Sequence, residues 1–534
     1  MKPVSPPQIP RALSRVRLSD MYKNLLSVAG FTLLSRVSGF FRDVVLGAVL
    51  GAGALADAFY IAFRLPNHFR AIFGEGAFNA AFVPSYARVL ETEGDDKARV
   101  FGGQILTLLL ISQLLLLGAA WIFTDELVRL LAPGLADNPA QLASAVTMTR
   151  ITFPYLTCIT LVTLLSGVLN AHGRFAAAAF APVLLNLMMI GFLAVAFLFP
   201  DAGLAASSGI FTAGLAELAL LVIAAKRADV FTRWRKPAWS ADLKQFFTAL
   251  GPAVIGSAGV QIAMFADTII GSLLPAGGIS SIYYADRLYQ LPIGVIGIAA
   301  GTVLLPEMSR RFSNGDAGGA FHAQNRTMAL TIALSAPFFI AFTILPEFIM
   351  RGIFLRGAFT EEAARASAHV LAAYGTGLFA IVLIRSAVAS FQARGDTKTP
   401  MFISLGAVAF NIVLKLALYA PLGASGLALA TAAGAWVNFG LLVLLALRAG
   451  AMKFDGLLGK TLLATSGASI LLALVAVFGQ SIAVQMTATW PFAKEAALAL
   501  LGLAGAATYA LALVAGLRMA GVPLKGLRGA PPKA

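Results

Sequence analysis

The sequence predicts an all-α polytopic membrane protein: about fourteen transmembrane helices, arranged as two parallel-repeat six-helix lobes around a central cavity plus two C-terminal helices. Three observations predict it. Hydrophobic residues make up 59% of the 534-residue chain and charged residues only 12%, about half the charged share of a soluble globular protein; the mean hydropathy is +0.83. Apolar runs such as 101–123, 176–199, 400–420 and 459–479 recur along nearly the whole length, each close to the ~20 residues that cross ~30 Å of hydrocarbon as a helix. A pattern of charged, glycine and tyrosine residues in the first helix pair also returns in register in the second half. The apolar runs are continuous rather than alternating, which excludes a membrane β-barrel.

The elements follow in order. The first span, 24–50, comes after a basic N-terminus carrying Lys2, Arg11, Arg15 and Arg17. It is interrupted by Arg36, Arg42 and Asp43 and has no uninterrupted apolar core with a cleavage site, so it reads as a retained helix and not a signal peptide. The second, 57–90, is equally charged; 99–123, 143–170, 175–199 and 203–226 complete a first lobe, 24–226. A basic linker, 227–244, leads to a second lobe, 245–449, with spans at 245–274, 278–312, 326–348, 364–393, 400–421 and 423–449. The final pair, 459–481 and 493–518, occupies 450–518, and the tails are 1–23 and 519–534.

Charge between the spans gives the expected orientation. Loops after even-numbered spans hold Arg88, Lys97 and Arg99; His172 and Arg174; Lys226, Arg227, Arg233, Arg235 and Lys236; Arg310, Arg311 and Arg326; Arg394 and Lys398; and Arg448, Lys453 and Lys460. Loops after the first, fifth, seventh and eleventh hold no basic residue. Basic loops stay cytoplasmic, so both termini are expected there. The net charge of +15 is thereby spent on topology and makes no case for a nucleic-acid partner. The single cysteine, Cys158, lies in an apolar stretch and cannot form a disulfide within the chain.

The repeat pairs Asp43 with Asp267, Gly47 with Gly271, Gly53 with Gly277 and Tyr60 with Tyr284, all at an offset of 224. Arg64-Leu65 meets Arg287-Leu288, and Pro84 and Arg88 meet Pro306 and Arg310, with one and two residues fewer between them. An even number of spans per half makes the repeat parallel, a plan secondary transporters use around a site at the repeat interface.

Chemistry concentrates in the first two spans, with Arg36, Arg42 and Asp43 in one and Asp57, Arg64, Arg70 and Glu75 in the next. A charge at the centre of a span costs ~2.5–3.5 kcal/mol on insertion scales, so such a hairpin needs a wet or mutually paired interior. Arg36, Gly39 and Asp43 share a helical face, while Arg42 points about 120° away. The lined surface is therefore broad, or the helix bends at Gly39. Arginine's planar fork binds phosphate or carboxylate through two parallel hydrogen bonds and stays charged when buried, so a cavity of arginines suits an anionic head group. Snorkelling or ion pairing remains open for Arg36, Arg64 and Arg70, pairing with acids of the next helix for Arg42, and local pairing for Arg287 beside Asp286. Gly456 to Thr461 only superficially resembles a phosphate loop: Phe454 stands where its first glycine is required. His68, His172, His322 and His369 show no metal spacing, and no nucleophile–base constellation supports an enzyme.

The strings SRVSGFFRD (35–43), GAGALADAF (51–59), RLPNHFRAIFGEGAFNAAFVP (64–84), YYADRL (283–288), GTVLLP (301–306) and RGDTKTP (394–400) resemble the MurJ (MviN) lipid II flippase family of the multidrug/oligosaccharidyl-lipid/polysaccharide exporter superfamily. That resemblance implies a bacterial inner-membrane flippase that moves lipid II, the undecaprenyl-diphosphate-linked disaccharide-pentapeptide, by alternating access. Carried over by position, it places substrate-binding arginines at Arg36, Arg42, Arg70 and Arg287. Cavity or gating positions fall on Ser35, Gly39, Asp43, Asp57, Glu75, Asp286 and Gln290, the last where the family usually has glutamate. Some relatives hold sodium in the second lobe; here Asp267 and Asn411 match, and Lys415 stands where an acid would help. The expectation is that Lys415 pairs with Asp267 and replaces the ion. No cofactor is expected; the drive would be membrane potential, a monovalent cation or consumption of the product outside. The last two helices are expected to form a groove for the lipid tail, with wall-synthesis proteins as neighbours. Export of another lipid-linked oligosaccharide or of drugs, a membrane glycan polymerase, and a non-transport scaffold remain alternatives.

Overall fold

The computed structural model describes residues 18–70 and 76–522. Among them every regular element is helical, as backbone polar groups without water require. Contacts divide the chain into two compact units: 1–50 with 58–269, and 51–57 with 270–534.

The first unit runs through α1 (Leu18–Leu50), α2 (Ala54–Arg70) after its first turn, α3 (Ala77–Glu93), α4 (Asp95–Ile122), α5 (Thr124–Leu131), α6 (Pro139–Thr152), α7 (Pro154–Ala171), α8 (Ala176–Ala194), α9 (Ala202–Arg227) and most of α10 (Ala241–Ser272). α8 packs along both α1 and α9, and α7 also packs on α9. Small residues allow the close approaches. A Cβ on Gly214 of α9 would stand 2.8 Å from the Tyr155 ring and 3.0 Å from the Cβ of Cys158, which places the lone cysteine in the core. Phe78, Phe82 and Phe101 stack at 5.2 and 6.3 Å between ring centres, joining α3 to α4.

The second unit holds α11 (Gly278–Pro292), α12 (Ile298–Ser313), α13 (Ala317–Ile344), α14 (Pro346–Phe354), α15 (Glu361–Gly375), α16 (Leu378–Gln392), α17 (Lys398–Arg448), α18 (Gly456–Thr487) and α19 (Ala493–Met519), together with Gly51–Asp57. A π-helical turn, Ile293–Gly297, joins α11 to α12. α17 contains two of the expected spans, bent at Gly423 (φ 57°, ψ −139°), a conformation glycine tolerates without steric cost. α18 and α19 pack together through glycines: a Cβ on Gly505 would lie 2.9 Å from Leu472, and one on Gly516 3.1 Å from Ala464. The pair docks on α13, where the Tyr509 hydroxyl donates to the Ala333 carbonyl at 2.6 Å.

Among the described residues ten helices or helix runs are long and apolar enough to cross a membrane, or eleven if the two halves of α10, bent by 44°, form one span. That set counts α17 once. It leaves out α1 and the α2–α3 pair, the segments that carry Arg36, Arg42, Asp43, Asp57, Arg64 and Arg70. The expected spans 24–50 and 57–90 fall on these helices, and 400–421 and 423–449 both fall on α17. The break between α6 and α7 falls at Pro154, a first-turn position where its missing N–H costs nothing. Short helices α5 and α14 occupy loops that the apolar runs had left without structure.

Candidate functional site

α1 runs unbroken past Gly39, and its charged face does two separate things. Arg36 is exposed and makes no hydrogen bond or ion pair among the described residues. Arg42 and Asp43 are buried, at 7% and 3% exposure, and are bound to each other. Arg42 Nε and Nη2 donate to Asp43 Oδ1 at 3.1 and 2.7 Å. Arg42 Nη1 donates to Asn186 Oδ1 on α8 at 2.9 Å. The Asn186 amide in turn donates to the Ser35 carbonyl at 3.0 Å and reaches Ser38 Oγ at 2.9 Å. Gly39 packs beside this amide: a Cβ there would stand 3.4 Å from Asn186 Nδ2, an ordinary van der Waals contact. Gly39 lies where α1 packs on α8. The broad lined surface resolves into one arginine clamped in protein and another left open.

On α2, Arg64 and Arg70 are half-buried, Arg70 being the last described residue of the helix; Glu75 lies outside the described residues. His68 is packed at 3% exposure. The Thr268 hydroxyl already donates to the Met264 carbonyl at 3.0 Å, so the His68 Nε2–H donates to Thr268, 2.9 Å away. Asp267, the residue before Thr268, is half-buried on α10.

Asp57, at 2% exposure, belongs by its contacts to the second unit. Its carboxylate accepts from the Gly277 N–H at 2.6 Å, and from the N–H and hydroxyl of Ser280, each at 2.7 Å. These N–H groups open α11, whose own N-cap residue, Gly277 (φ +91°), has no side chain to offer. A carboxylate there satisfies orphan donors and meets the positive end of the helix dipole. The loop before it is fixed the same way: Tyr284 Oη donates to the Gly51 carbonyl at 3.0 Å. Gly51 has φ +68°, and a Cβ there would come within 2.4 Å of the Ala358 carbonyl oxygen.

Further along α11, Arg287 donates to Tyr283 Oη at 3.0 Å and lies over that ring, 4.4 Å from its centre. Gln290 donates to Asp286 one turn earlier. On α17, Asn411 donates to the Ala430 carbonyl at 3.0 Å across the bend, and Lys415 is buried at 5% exposure. Among the described residues no cluster of three or more His, Cys, Asp or Glu could hold a metal. Gly456 opens α18 under an Asp455 cap, in a helical and not a phosphate-loop setting. Within the second unit, α13, α18 and α19 enclose an apolar cavity of about 260 Å³ lined by Phe338, Ile340, Leu472, Val475, Leu498 and Leu501 among others.

Sequence reasoning found Arg42, Asp43 and Asp57 by their charge but missed Asn186, the residue that ties three of the expected positions together. A lone asparagine in an apolar helix leaves no spacing to read.

A chain of apolar helical spans in two halves, with arginines on its otherwise aberrant first helices, is a multi-span membrane transporter. The family model described as "Lipid II flippase MurJ" matches residues 46–499, and the chain belongs to that family. It is 42% identical over 424 residues to the "Probable lipid II flippase MurJ" of Rhizobium meliloti (strain 1021), covering 78% of this chain and 79% of that one. Its fold is similar to a solved "Lipid II flippase MurJ, inward closed conformation", with a TM-score of 0.75 at 23% identity over 92% of this chain and 99% of that one. An inward-facing multidrug resistance MATE transporter of the MOP superfamily is similar at a TM-score of 0.62 and 14% identity, over 80% and 98% of the two chains.

Proposed function

We propose that this chain moves lipid II from the cytoplasmic to the periplasmic leaflet of the bacterial inner membrane by alternating access, with both termini cytoplasmic. The observation that carries the reading is the division of labour on α1. Arg42 is already satisfied by Asp43 and Asn186, whereas Arg36 stands exposed with its fork unspent. Arg36 takes the diphosphate, Arg70 and Arg287 add to the cationic lining, and Arg42 holds α1 in place. The polyprenyl tail stays in lipid and lies against the apolar cavity of α13, α18 and α19. Wall-synthesis proteins outside consume the product.

Asp57 is the proposed latch. Opening the α11 end breaks three hydrogen bonds to a carboxylate, each worth about 1.5–3 kcal/mol, with water restoring part of that. One charge moved through 100 mV supplies about 2.3 kcal/mol, so membrane potential acts on the same scale as the latch. Lys415 is proposed to supply a fixed positive charge where some relatives hold sodium.

The test is leaflet-resolved lipid II in cells depleted of this protein, read with a periplasmic enzyme that cleaves only outward-facing precursor. Precursor should accumulate protected, wild type should restore cleavage and Arg36→Ala should not. Unchanged cleavage on depletion would overturn the reading in favour of another lipid-linked glycan.

A further inference from the structure

The segment that joins the two repeats, residues 228–240, contains no helix, yet it is held as a strap against the start of α4. Arg99 Nη2 donates to the Asp229 carbonyl at 2.5 Å and lies 3.3 Å from its carboxylate. Thr107 Oγ1 donates to the Arg235 carbonyl at 2.7 Å and accepts from the Arg235 N–H at 3.3 Å. α4 turns two adjacent glycines to the strap: a Cβ on Gly103 would stand 2.4 Å from the Arg233 carbonyl oxygen, and one on Gly102 3.0 Å from Thr232. Val230 and Thr232 point inward, at 6% and 0% exposure.

The outward face is unusual. Trp234 and Trp239 are 64% and 75% exposed, and Arg233, Arg235 and Lys236 beside them are exposed as well. These three cations, with Arg227 and Lys244 at the flanks, make no ion pair among the described residues. The nearby acids are already used: Asp229 faces Arg99 and Asp242 pairs with Arg88 at 2.6 Å. Indole rings favour the headgroup level of a bilayer, where one end is apolar and the other wet. Clustered Lys and Arg next to a membrane helix attract acidic lipids, by about fivefold for each cation near the surface.

We infer that the strap is a lipid-recognition surface: Trp234 and Trp239 seat in the bilayer interface while Arg233, Arg235 and Lys236 bind the phosphates of acidic phospholipids. The strap is thus gripped from two sides, by α4 and by the membrane. This inference does not depend on the substrate the chain carries.

The test uses the full chain in nanodiscs, with Trp121, Trp436 and Trp490 changed to phenylalanine so that only the strap emits. Phosphatidylglycerol with brominated acyl chains should quench the strap at least about fivefold more effectively than brominated phosphatidylcholine at equal mole fraction. Combining Arg233→Glu, Arg235→Glu and Lys236→Glu should abolish that preference. Equal quenching by both lipids would overturn headgroup recognition, and no quenching by either would turn the strap into a water-facing surface open to a protein. Native mass spectrometry of the unmodified chain against the charge-reversed one gives a second reading free of the tryptophan changes. The unmodified chain should retain more phosphatidylglycerol, and equal retention would count against the site.

Discussion

Asn186 is the neutral residue that ties the charged helix to its neighbour. Its amide bridges an arginine on one side and the Ser35–Ser38 turn on the other, so one neutral side chain satisfies a buried cation and closes α8 onto α1. Asn186→Leu should cost about 1.5–3 kcal/mol, the price of a hydrogen bond to a buried charge, and lower the melting midpoint in detergent. Asn186→Asp keeps the acceptor for Arg42 but loses both donations, and should fall between. A Leu variant that melts with wild type would show that Arg42 finds another partner. Asp57 offers the second test at this scale. Asp57→Asn keeps the shape and removes the charge from the α11 terminus, worth roughly 0.3–1 kcal/mol as a dipole contact. Amide exchange at Gly277 and Ser280 should quicken, and unchanged exchange would remove the latch. The charge of Asp57 was legible in the sequence, but its partners were not. They lie 220 and more residues away, and no local pattern announces a helix capped from that distance.

At the scale of elements, apolar runs located the spans because lipid leaves a long hydrophobic helix little choice. They could not show how spans break or merge. The bend at Gly423 inside α17 and the break at Pro154 depend on backbone geometry within stretches of uniform hydropathy. Short α5 and α14 were invisible for the opposite reason, since eight or nine residues give too brief a period. The RGDTKTP turn before α17 makes a pH-dependent element. Asp396 accepts from the Thr399 N–H at 3.0 Å, and that bond, helped by the Thr399 hydroxyl, holds the carboxyl below its ordinary value of 3.8. Its folded-state value is depressed, so its stabilisation is complete above 3.8 and fades as pH falls through the lowered value. Asp396→Ala should therefore melt earlier than wild type at neutral pH, and the two curves should begin to approach only below about pH 3.8 and meet once the pH is under the lowered value. A difference that persists in acid would mean that the side chain acts through packing.

Over the whole molecule, the repeat was the most informative feature, because two copies of one pattern fix the number and sense of the spans together. It said little about which residues of each half keep their ancestral role. The second-half match to Asp43 is Asp267, and the residue after it, Thr268, about 100° further round α10, meets a histidine. Lys415 marks a further divergence. Buried ionisable groups in membrane segments are expensive and earn their place by function, and a lysine ammonium can stand where a monovalent cation would. Lys415→Asp should make thermal stability or lipid II transport respond to sodium, and an unchanged ion response would refute that substitution of charge.

Residues 51–57 group with the second unit although the chain on either side of them groups with the first. The consequence is genealogical. A gene built by doubling one six-helix ancestor would at first have yielded two separable modules. Here the first module has lent the second a loop, a glycine no other residue can replace without a clash, and a buried carboxylate. Dividing the coding sequence at 228–240 would leave those parts on the wrong polypeptide, so neither product would inherit a finished module. Residues 51–57 thus tie the two repeats into one polypeptide.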